Sequence, residues 1–308
     1  MLILSRKEVE ELLDPRELTL ALEEGFKALS AGQLEVPPRN QVSAPKGVLL
    51  GMYSFMPGKP FSVKLVSIFH ESTPSHQAVI TLFDSETGAP IALMDGEHIT
   101  AMRTAAASLL SIQHLARKGS KTIAVIGSGV QAESHLKMIE TLVGIEKVLV
   151  ASRDHSSASA LASRASNALA ADSIHQAVSQ ADIVCLCTSS PEPVIKKEWL
   201  KEGVHITSVG YRPPGGELPR DVIEASHLFV ESKRAFEPPP AGSAELQGLR
   251  SDFGTELGEM LLNQKPGRRT ETEMTVYKSM GHAMEDLVAA NLVYQKAITM
   301  NSGLRFEG

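Results

Sequence analysis

The sequence has few of the features that mark secreted, membrane or nucleic-acid-binding proteins. It contains only two cysteines, so no disulfide framework is available and a reducing, cytoplasmic environment is expected. No apolar run reaches the length of a membrane span, and the first fourteen residues lack the basic start and apolar stretch of a signal peptide. With 36 acidic against 30 basic residues there is no positive surplus for nucleic acid. We expect neither nucleic acid nor a membrane as a partner.

The chain length and the order of the elements predict two domains. A sequence of 308 residues exceeds the usual size of a single hydrophobic core. From about Lys118 onward, short β-branched strands alternate with helices, which is typical of a parallel, doubly wound sheet. The final segment, from about Thr270 to Met300, is predicted to be one long helical run.

Local signals fix several helices. Ser5 and Glu8 have the spacing of a capping box, and Asp14 followed by Pro15 is typical of a second helix start. Residues 97 to 117 form an alanine-rich stretch that ends at Lys118-Gly119, and they are predicted to be one long helix.

A glycine-rich turn after the strand Thr122 to Ile126 predicts a dinucleotide site. The segment reads Gly127-Ser-Gly129-Val-Gln-Ala132 and continues into a helix. Gly127 permits the tight turn, and Gly129 lets the backbone approach a pyrophosphate. Ala132 keeps the helix close to the strand, while the helix N-terminus presents amide donors to the anion.

The end of the next strand indicates which dinucleotide is preferred. This position carries Ser152, Arg153 and Asp154. The planar guanidinium of Arg153, beside the hydroxyl of Ser152, suits the 2′-phosphate of NADP(H). NADP(H) is therefore favoured, and NAD(H) stays possible if Asp154 rather than Arg153 turns toward the ribose.

Several separate motifs, in one order, carry a family resemblance. They read Lys64-Leu-Val, Pro74-Ser-His-Gln-Ala78, Met94-Asp-Gly, Ile99-Thr-Ala-Met-Arg103-Thr-Ala-Ala, Gly127-Ser-Gly-Val-Gln-Ala132, Glu256-Leu-Gly-Glu259 and Thr275-Val-Tyr-Lys-Ser279-Met-Gly281. With these motifs the chain resembles the ornithine cyclodeaminase/mu-crystallin family over nearly its whole length, and within it the ketimine reductase members. The resemblance implies a homodimer. It also implies a Rossmann-type nucleotide domain, residues 118–285, inserted into an α+β substrate-binding and dimerisation domain formed by residues 1–117 and 286–308.

The resemblance also implies the site residues. Arg39 and Lys64 match the substrate-site cations, which would bind the carboxylate of an imino acid; Lys64 could instead help deliver a proton to the ring nitrogen. The matching cofactor positions are Ser75, His76, Arg103 and Thr104 at the phosphates and nicotinamide, Val130 and Gln131 in the pyrophosphate loop, and Thr188, Val209 and Ser279 on the nicotinamide side. For Arg103 a structural ion pair with a carboxylate such as Asp95 is the alternative, and for His76 a hydrogen-bonded loop histidine. The histidines and cysteines show no metal-ligand spacing, and Cys185 and Cys187 are expected to be buried.

One departure from the family pattern bears on the reaction. Cyclodeaminases carry an aspartate directly after the glycine of the motif that matches Val209-Gly210, and here Tyr211 and Arg212 stand in its place. Without that carboxylate, the group that activates water or the cyclising amine is missing. We therefore expect NAD(P)H-dependent reduction of cyclic ketimines, giving L-proline from Δ1-pyrroline-2-carboxylate and L-pipecolate from Δ1-piperideine-2-carboxylate. The alternatives are an ornithine cyclodeaminase, an alanine-type amino-acid dehydrogenase, or a non-catalytic NADP(H)-binding carrier of small molecules.

Overall fold

The computed structural model describes residues 1–69, 71–72 and 74–307. In chain order, its strands are β1 (Leu2–Leu4), β2 (Asn40–Ala44), β3 (Gly47–Ser54), β4 (Phe61–Ile68), β5 (His76–Phe83), β6 (Pro90–Asp95), β7 (Thr122–Ile126), β8 (Lys147–Ala151), β9 (Ala168–Ala170), β10 (Ile183–Leu186), β11 (His205–Ser208), β12 (His227–Val230), β13 (Gly254–Glu256), β14 (Thr275–Lys278) and β15 (Leu304–Arg305). Its α-helices are α1 (Arg6–Leu12), α2 (Pro15–Ser30), α3 (Gly96–Leu115), α4 (Val130–Ile139), α5 (His155–Ala162), α6 (Ile174–Gln180), α7 (Arg220–Glu224), α8 (Leu257–Leu261) and α9 (Ala283–Met300).

The chain divides into two compact units. The first comprises Met1–Arg103 and His282–Gly308, and the second, Thr104–Gly281, interrupts it. The sequence expectation placed the boundaries at 117/118 and 285/286, so both are corrected toward the N-terminus. The first boundary differs because Lys118-Gly119 marks the end of α3, whereas the C-terminal half of that helix already belongs to the second unit. There the hydroxyl of Ser111 lies 3.1 Å from Nε2 of the buried His205.

The first unit is built on a sheet with the strand order β15-β1-β6-β5-β4-β3-β2. From β6 to β2 all neighbouring strands are antiparallel. Helix α9 packs on the face that carries Leu50, Met52 and Lys64, and the hydroxyl of Ser54 donates to the carbonyl of Ala283 at 2.9 Å. This face is buried because α9 is apolar around most of its circumference.

The second unit contains the parallel sheet that the alternation of strands and helices predicts. The strand order is β13-β12-β14-β11-β10-β7-β8-β9, and every pair in it is parallel. Its central strands are buried on both faces, as expected where helices cover a parallel sheet. The order turns back between β7 and β10, so the carboxyl ends of these strands form the ligand-binding edge that this architecture uses.

Most local signals are confirmed, and one prediction is wrong. The capping box of Ser5 and Glu8 and the Asp14 cap of α2 are both present. The helical run predicted from Thr270 to Met300 is instead strand β14 followed by helix α9, which begins at Ala283. The short β14 segment is β-branched and aromatic and is fully buried between β11 and β12, which favours a strand. No helix in the described part of the chain is long and apolar enough to cross a membrane.

Candidate functional site

Lys64 lies on β4 and points to the buried face of the first sheet, because it is paired in register with the buried residues Met52 and Ile80. Its ammonium donates to Asp286 at 2.8 Å and to the hydroxyl of Thr100 at 3.3 Å. Its side chain is only 2% exposed. An isolated cation at such a site would be costly, so the carboxylate is required for the fold.

Arg103 reaches the same place from α3. Its guanidinium donates to Glu285 at 2.6 Å and to Asp286 at 3.2 Å. Arg103 thus forms structural ion pairs with carboxylates, which is the alternative that the sequence leaves open, and these carboxylates are two consecutive acids of α9. A role for Arg103 at the cofactor phosphates stays a prediction.

Arg39 completes a group of five ionised side chains, which we call the Lys64 cluster: Arg39, Lys64, Arg103, Glu285 and Asp286. Arg39 is half-buried just before β2, close enough to Lys64 for its charge to act on the ammonium. Burial lowers the pKa of Lys64 to about 8; the Asp286 carboxylate opposes this shift, while the charges of Arg103 and Arg39 add to it. Burial alone would raise the pKa of Asp286, but Lys64 and Arg103 hold it below its usual value. The structure therefore brings together both predicted substrate-site cations.

The other predicted residues near this region are placed as follows. Ser75 is half-buried and its hydroxyl lies 2.9 Å from Nδ1 of His76, the exposed first residue of β5. Thr104 is buried on α3 at the first position of the second unit. Cofactor roles for these three residues stay predictions.

The glycine-rich turn has the geometry that a bound pyrophosphate needs. Gly127 has a φ of 128°, and a Cβ there would lie 2.4 Å from the carbonyl oxygen of Cys187. A Cβ placed at Gly129 has no heavy atom of the described residues within 4 Å, apart from those of Gly129 and its chain neighbours, so the space in front of the loop is open. Gly129 caps α4 without a side-chain hydrogen bond, and Val130 is 63% exposed. The amide side chain of Gln131 carries a buried oxygen with no partner among the described residues. An open cradle of amide donors fits a dinucleotide phosphate.

At the tip of β8, the two candidate partners of the ribose, Arg153 and Asp154, have different surroundings. The carboxylate of Asp154 caps α5, accepting from the backbone amide of Ser156 at 3.0 Å and from its hydroxyl at 2.8 Å. Hydrogen bonds from Ser157 and Ser156 lower the pKa of Asp154 to about 2. The hydroxyl of Ser152 donates to the Asp154 carbonyl, while Arg153 is exposed.

At the carboxyl edge of the second sheet, the buried carboxylate of Glu217 joins the ends of β10 and β11. It accepts from the amide of Thr188 at 2.6 Å and from its hydroxyl at 2.7 Å. It also accepts from the amides of Val209 at 3.1 Å and Gly210 at 2.6 Å. The hydroxyl of Thr188 is thus already bonded within the protein, and Thr188 and Val209 are held in place by one acid.

A second buried acid holds the turn after β14. Glu231 accepts from the hydroxyl of Ser279 at 2.7 Å and from the amides of Met280 and Gly281, each at 2.9 Å. The ammonium of Lys278, which has no exposed surface, donates to the carbonyl of Gly210 at 2.7 Å. The predicted nicotinamide-side residues Thr188, Val209 and Ser279 therefore follow three strands of one sheet edge, together with the glycine turn after β7.

Sequence reasoning missed the acids of both sites. Glu285 and Asp286 are adjacent acids in the first turn of a largely apolar helix, and buried carboxylates require cations. That signal was available and is the same one that singled out Arg103. No sequence pattern around Glu217 or Glu231 predicts that these residues are buried. The expectation for the cysteines is confirmed, since Cys185 and Cys187 are both buried, and burial raises the pKa of Cys185 to about 12.

A sequence model of the ornithine cyclodeaminase/mu-crystallin family matches residues 1–301 of this chain. The chain belongs to that family. Among its relatives, the mouse protein named ketimine reductase mu-crystallin is 36% identical over 307 residues, covering 94% of this chain and 96% of that protein.

Two solved structures are similar to this chain over its whole length. The Thermococcus litoralis Δ1-pyrroline-2-carboxylate reductase, in complex with NADH and L-proline, is 34% identical and aligns with a TM-score of 0.93, covering 99% of this chain and 100% of that one. An archaeal alanine dehydrogenase dimer with bound NAD is 28% identical, with a TM-score of 0.92, and covers 100% of this chain and 99% of that chain. The fold assignment, an α/β chain with a parallel nucleotide-binding sheet, is thereby confirmed.

Proposed function

We propose that this family member is an NAD(P)H-dependent oxidoreductase that reduces cyclic ketimines. Its substrates are Δ1-pyrroline-2-carboxylate, reduced to L-proline, and Δ1-piperideine-2-carboxylate, reduced to L-pipecolate. The named activities of the mouse protein and of the Thermococcus protein support this reaction class.

The Lys64 cluster is the observation that carries the proposal. Its three cations and two carboxylates sum to one positive charge, which the single carboxylate of an imino acid would neutralise. An ammonium has three N–H donors, and among the described residues Lys64 donates to Asp286 and Thr100, so one donor remains for a ligand. Arg39 adds a planar guanidinium that can hold a carboxylate by two hydrogen bonds.

The nucleotide site supports the redox half of the reaction. The open cradle at Gly129 and the exposed end of α4 would hold the pyrophosphate, and Thr188, Val209 and Ser279 follow strands of the same edge. When bound, the reduced nicotinamide supplies a hydride to the imine carbon. A protonated imine is already electrophilic, so the work of the protein is to bind the carboxylate, orient the ring and exclude water.

The loop after β11 favours reduction over cyclodeamination. Tyr211 and Arg212, both half-buried, occupy the place of the cyclodeaminase aspartate. A phenol and a guanidinium do not replace a carboxylate as general base at neutral pH.

The proposal is tested by following oxidation of NADPH, and separately of NADH, with freshly generated pyrroline-2-carboxylate, piperideine-2-carboxylate, or pyruvate plus ammonia. We expect turnover with the cyclic imines. Ammonia release from ornithine with NAD would identify a cyclodeaminase instead. Tight NADPH binding without turnover of any imine would identify a carrier.

NADP(H) is the proposed dinucleotide, and Arg153 is its proposed determinant. Because Asp154 is bonded to the N-terminus of α5, it is poorly placed to accept from a ribose hydroxyl, whereas Arg153 is exposed at the same strand tip. Arg153→Ala is expected to weaken NADPH binding about 10- to 100-fold, since a charged hydrogen bond to phosphate is lost, and to leave NADH binding nearly unchanged. Fluorescence titration of both dinucleotides checks this. Equal losses for the two would mean that Arg153 acts on a part common to both dinucleotides and has no role in selectivity.

A homodimer is proposed from the outer face of the first sheet. The side chains that point away from α9 form an exposed apolar surface, the apolar sheet face, made of Val42, Leu49, Tyr53, Phe61, Leu65 and Val79. Their exposed fractions run from 38% for Tyr53 to 73% for Val42. A contiguous apolar surface of this kind is typical of a protein interface, and the related alanine dehydrogenase is a dimer. A second copy of this chain is the proposed occupant.

Leu65→Glu is expected to dissociate this dimer, because it buries an unpaired charge at the centre of the apolar sheet face. Light scattering should then give the mass of a single chain for Leu65→Glu, whereas the unmodified protein should give the mass of two chains. Leu169→Glu is the matched control, since Leu169 is 58% exposed on β9 of the other unit. A monomeric unmodified protein, or a Leu65→Glu variant that remains dimeric, would refute the proposed interface.

A cytoplasmic location is also part of the proposal, since the two cysteines are free, buried thiols.

A further inference from the structure

One carboxylate on α9 connects the two buried cations of the Lys64 cluster. Oδ1 of Asp286 accepts from Lys64 Nζ at 2.8 Å and from Arg103 Nε at 3.2 Å. The side chains of Asp286 and Lys64 are only 1% and 2% exposed. Nζ of Lys64 also lies 2.8 Å from Oδ2 of Asp286, so a single carboxylate holds the ammonium and the guanidinium side by side. Helix α9 therefore sets where the ammonium lies, although Lys64 itself belongs to β4.

The other groups around Lys64 do not replace Asp286. Arg103 and Arg39 are cations and oppose protonation of the amine. Glu285, the second acid of the cluster, forms its ion pair with Arg103 at 2.6 Å. The register neighbours of Lys64 on the adjacent strands, Met52 and Ile80, are apolar. Among the described residues, Asp286 is thus the carboxylate that contacts the ammonium, and its charge offsets the effects of burial and of two nearby cations on the protonation of Lys64.

We propose that Asp286 is a positioning residue for the reduction, which keeps Lys64 protonated and aimed at the substrate carboxylate without itself touching substrate. This inference rests on the proposed role of Lys64 in substrate binding. Without the Asp286 charge, an ammonium in a buried site beside two guanidinium groups loses its proton at lower pH. A neutral amine no longer attracts a carboxylate, so substrate binding would fail at pH values where the unmodified enzyme works.

Asp286→Asn is the decisive variant, because it keeps the shape of the side chain and removes its charge. We expect the dissociation constant of NADPH to change less than about twofold. For the cyclic imine, kcat/KM should fall at least about tenfold at pH 8, and its decline at high pH should move down by about 1–3 pH units. Titration of the substrate imine is the same for both enzymes and cancels in the comparison. Asp286→Glu restores the charge and should return the decline toward its original pH.

Glu285→Gln is the matched control, because it removes an equally buried acid at the next position of the same helix. It is expected to move the high-pH decline less than Asp286→Asn does, since Glu285 bonds Arg103. If both variants lower kcat/KM equally at every pH and leave the decline in place, Asp286 contributes only to stability and the proposal is overturned.

The protonation of Lys64 can also be measured without turnover. In the full-length protein labelled with 13Cε-lysine, NMR titration follows each ammonium, and Lys64→Met identifies the signal of Lys64. The pKa of Lys64 should be lower in Asp286→Asn than in the unmodified protein, and equal values refute the inference. Asp286→Ser serves the same comparison if Asp286→Asn does not fold. If the unmodified protein reduces no cyclic imine, the proposed function fails while this titration still decides the role of Asp286.

Discussion

Replacing Lys64 with methionine is expected to lower kcat/KM for cyclic imino acids by about 100- to 1,000-fold while NADPH binding changes less than about twofold. Methionine has a similar length and fits the buried space, but it removes the charge that the substrate carboxylate would contact. The loss should appear mainly in KM if Lys64 only binds the carboxylate. It should appear in kcat as well if Lys64 also delivers a proton. Steady-state kinetics and a fluorescence titration with NADPH separate these outcomes.

Lys64→Met needs a control for stability, because it removes one of the cations that neutralise two buried carboxylates. Lys64→Met leaves Glu285 and Asp286 with Arg103 as their buried partner, so thermal unfolding should be recorded beside the kinetics. Lys46→Met changes an exposed lysine between β2 and β3 and should leave the kinetics unchanged. If Lys64→Met weakens NADPH binding as much as turnover, the assignment of Lys64 to the substrate is wrong.

Alanine at either glycine of the nucleotide loop is expected to weaken dinucleotide binding, but only alanine at Gly127 is expected to lower stability. Gly127→Ala places a Cβ 2.4 Å from a backbone oxygen and forces a φ of 128° on a residue with a side chain. We expect the free energy of unfolding to fall by about 2–4 kcal/mol, with loss of dinucleotide binding. Thermal or urea unfolding of the purified protein measures the change.

Gly129→Ala is the matched control for this loop. Its φ is −89°, and beyond its chain neighbours its Cβ would meet no heavy atom within 4 Å in the part of the chain that the structure describes, so stability should be nearly unchanged. The added methyl group would lie where the pyrophosphate approaches, and we expect NADPH binding to weaken by about tenfold or more. A stable Gly129→Ala protein that binds NADPH normally would mean that the phosphates do not approach this loop.

The parts of the fold that were predictable are those set by neighbours in sequence. The capping box at Ser5, the Asp14 cap and the limits of β7 depend on groups within a few residues of each other. Strand β14 was missed because four residues are too few to show the period of a strand, and only its place between β11 and β12 makes it a strand. Tertiary context decides such short apolar runs.

In the candidate site too, the features set by neighbouring residues were predictable and the contacts between distant residues were not. The glycine turn could be predicted directly, because each of its glycines meets a requirement of the local backbone. The partners of the predicted residues could not be read, since Lys64 and Asp286 are 222 positions apart and Thr188 and Glu217 are 29 apart. Nothing in a single sequence pairs particular buried charges over such separations.

The sequence by itself determined the two-domain α/β organisation, the nucleotide-binding turn and the cations Arg39 and Lys64 as candidates, because local geometry and family motifs carry this information. Only the tertiary structure showed that Lys64 and Arg103 share the carboxylate of Asp286, and that Glu217 and Glu231 hold the edge of the parallel sheet. The physical reason is that a buried charge must be neutralised by whatever group the fold brings within a few ångströms. Which group that is depends on how distant segments pack.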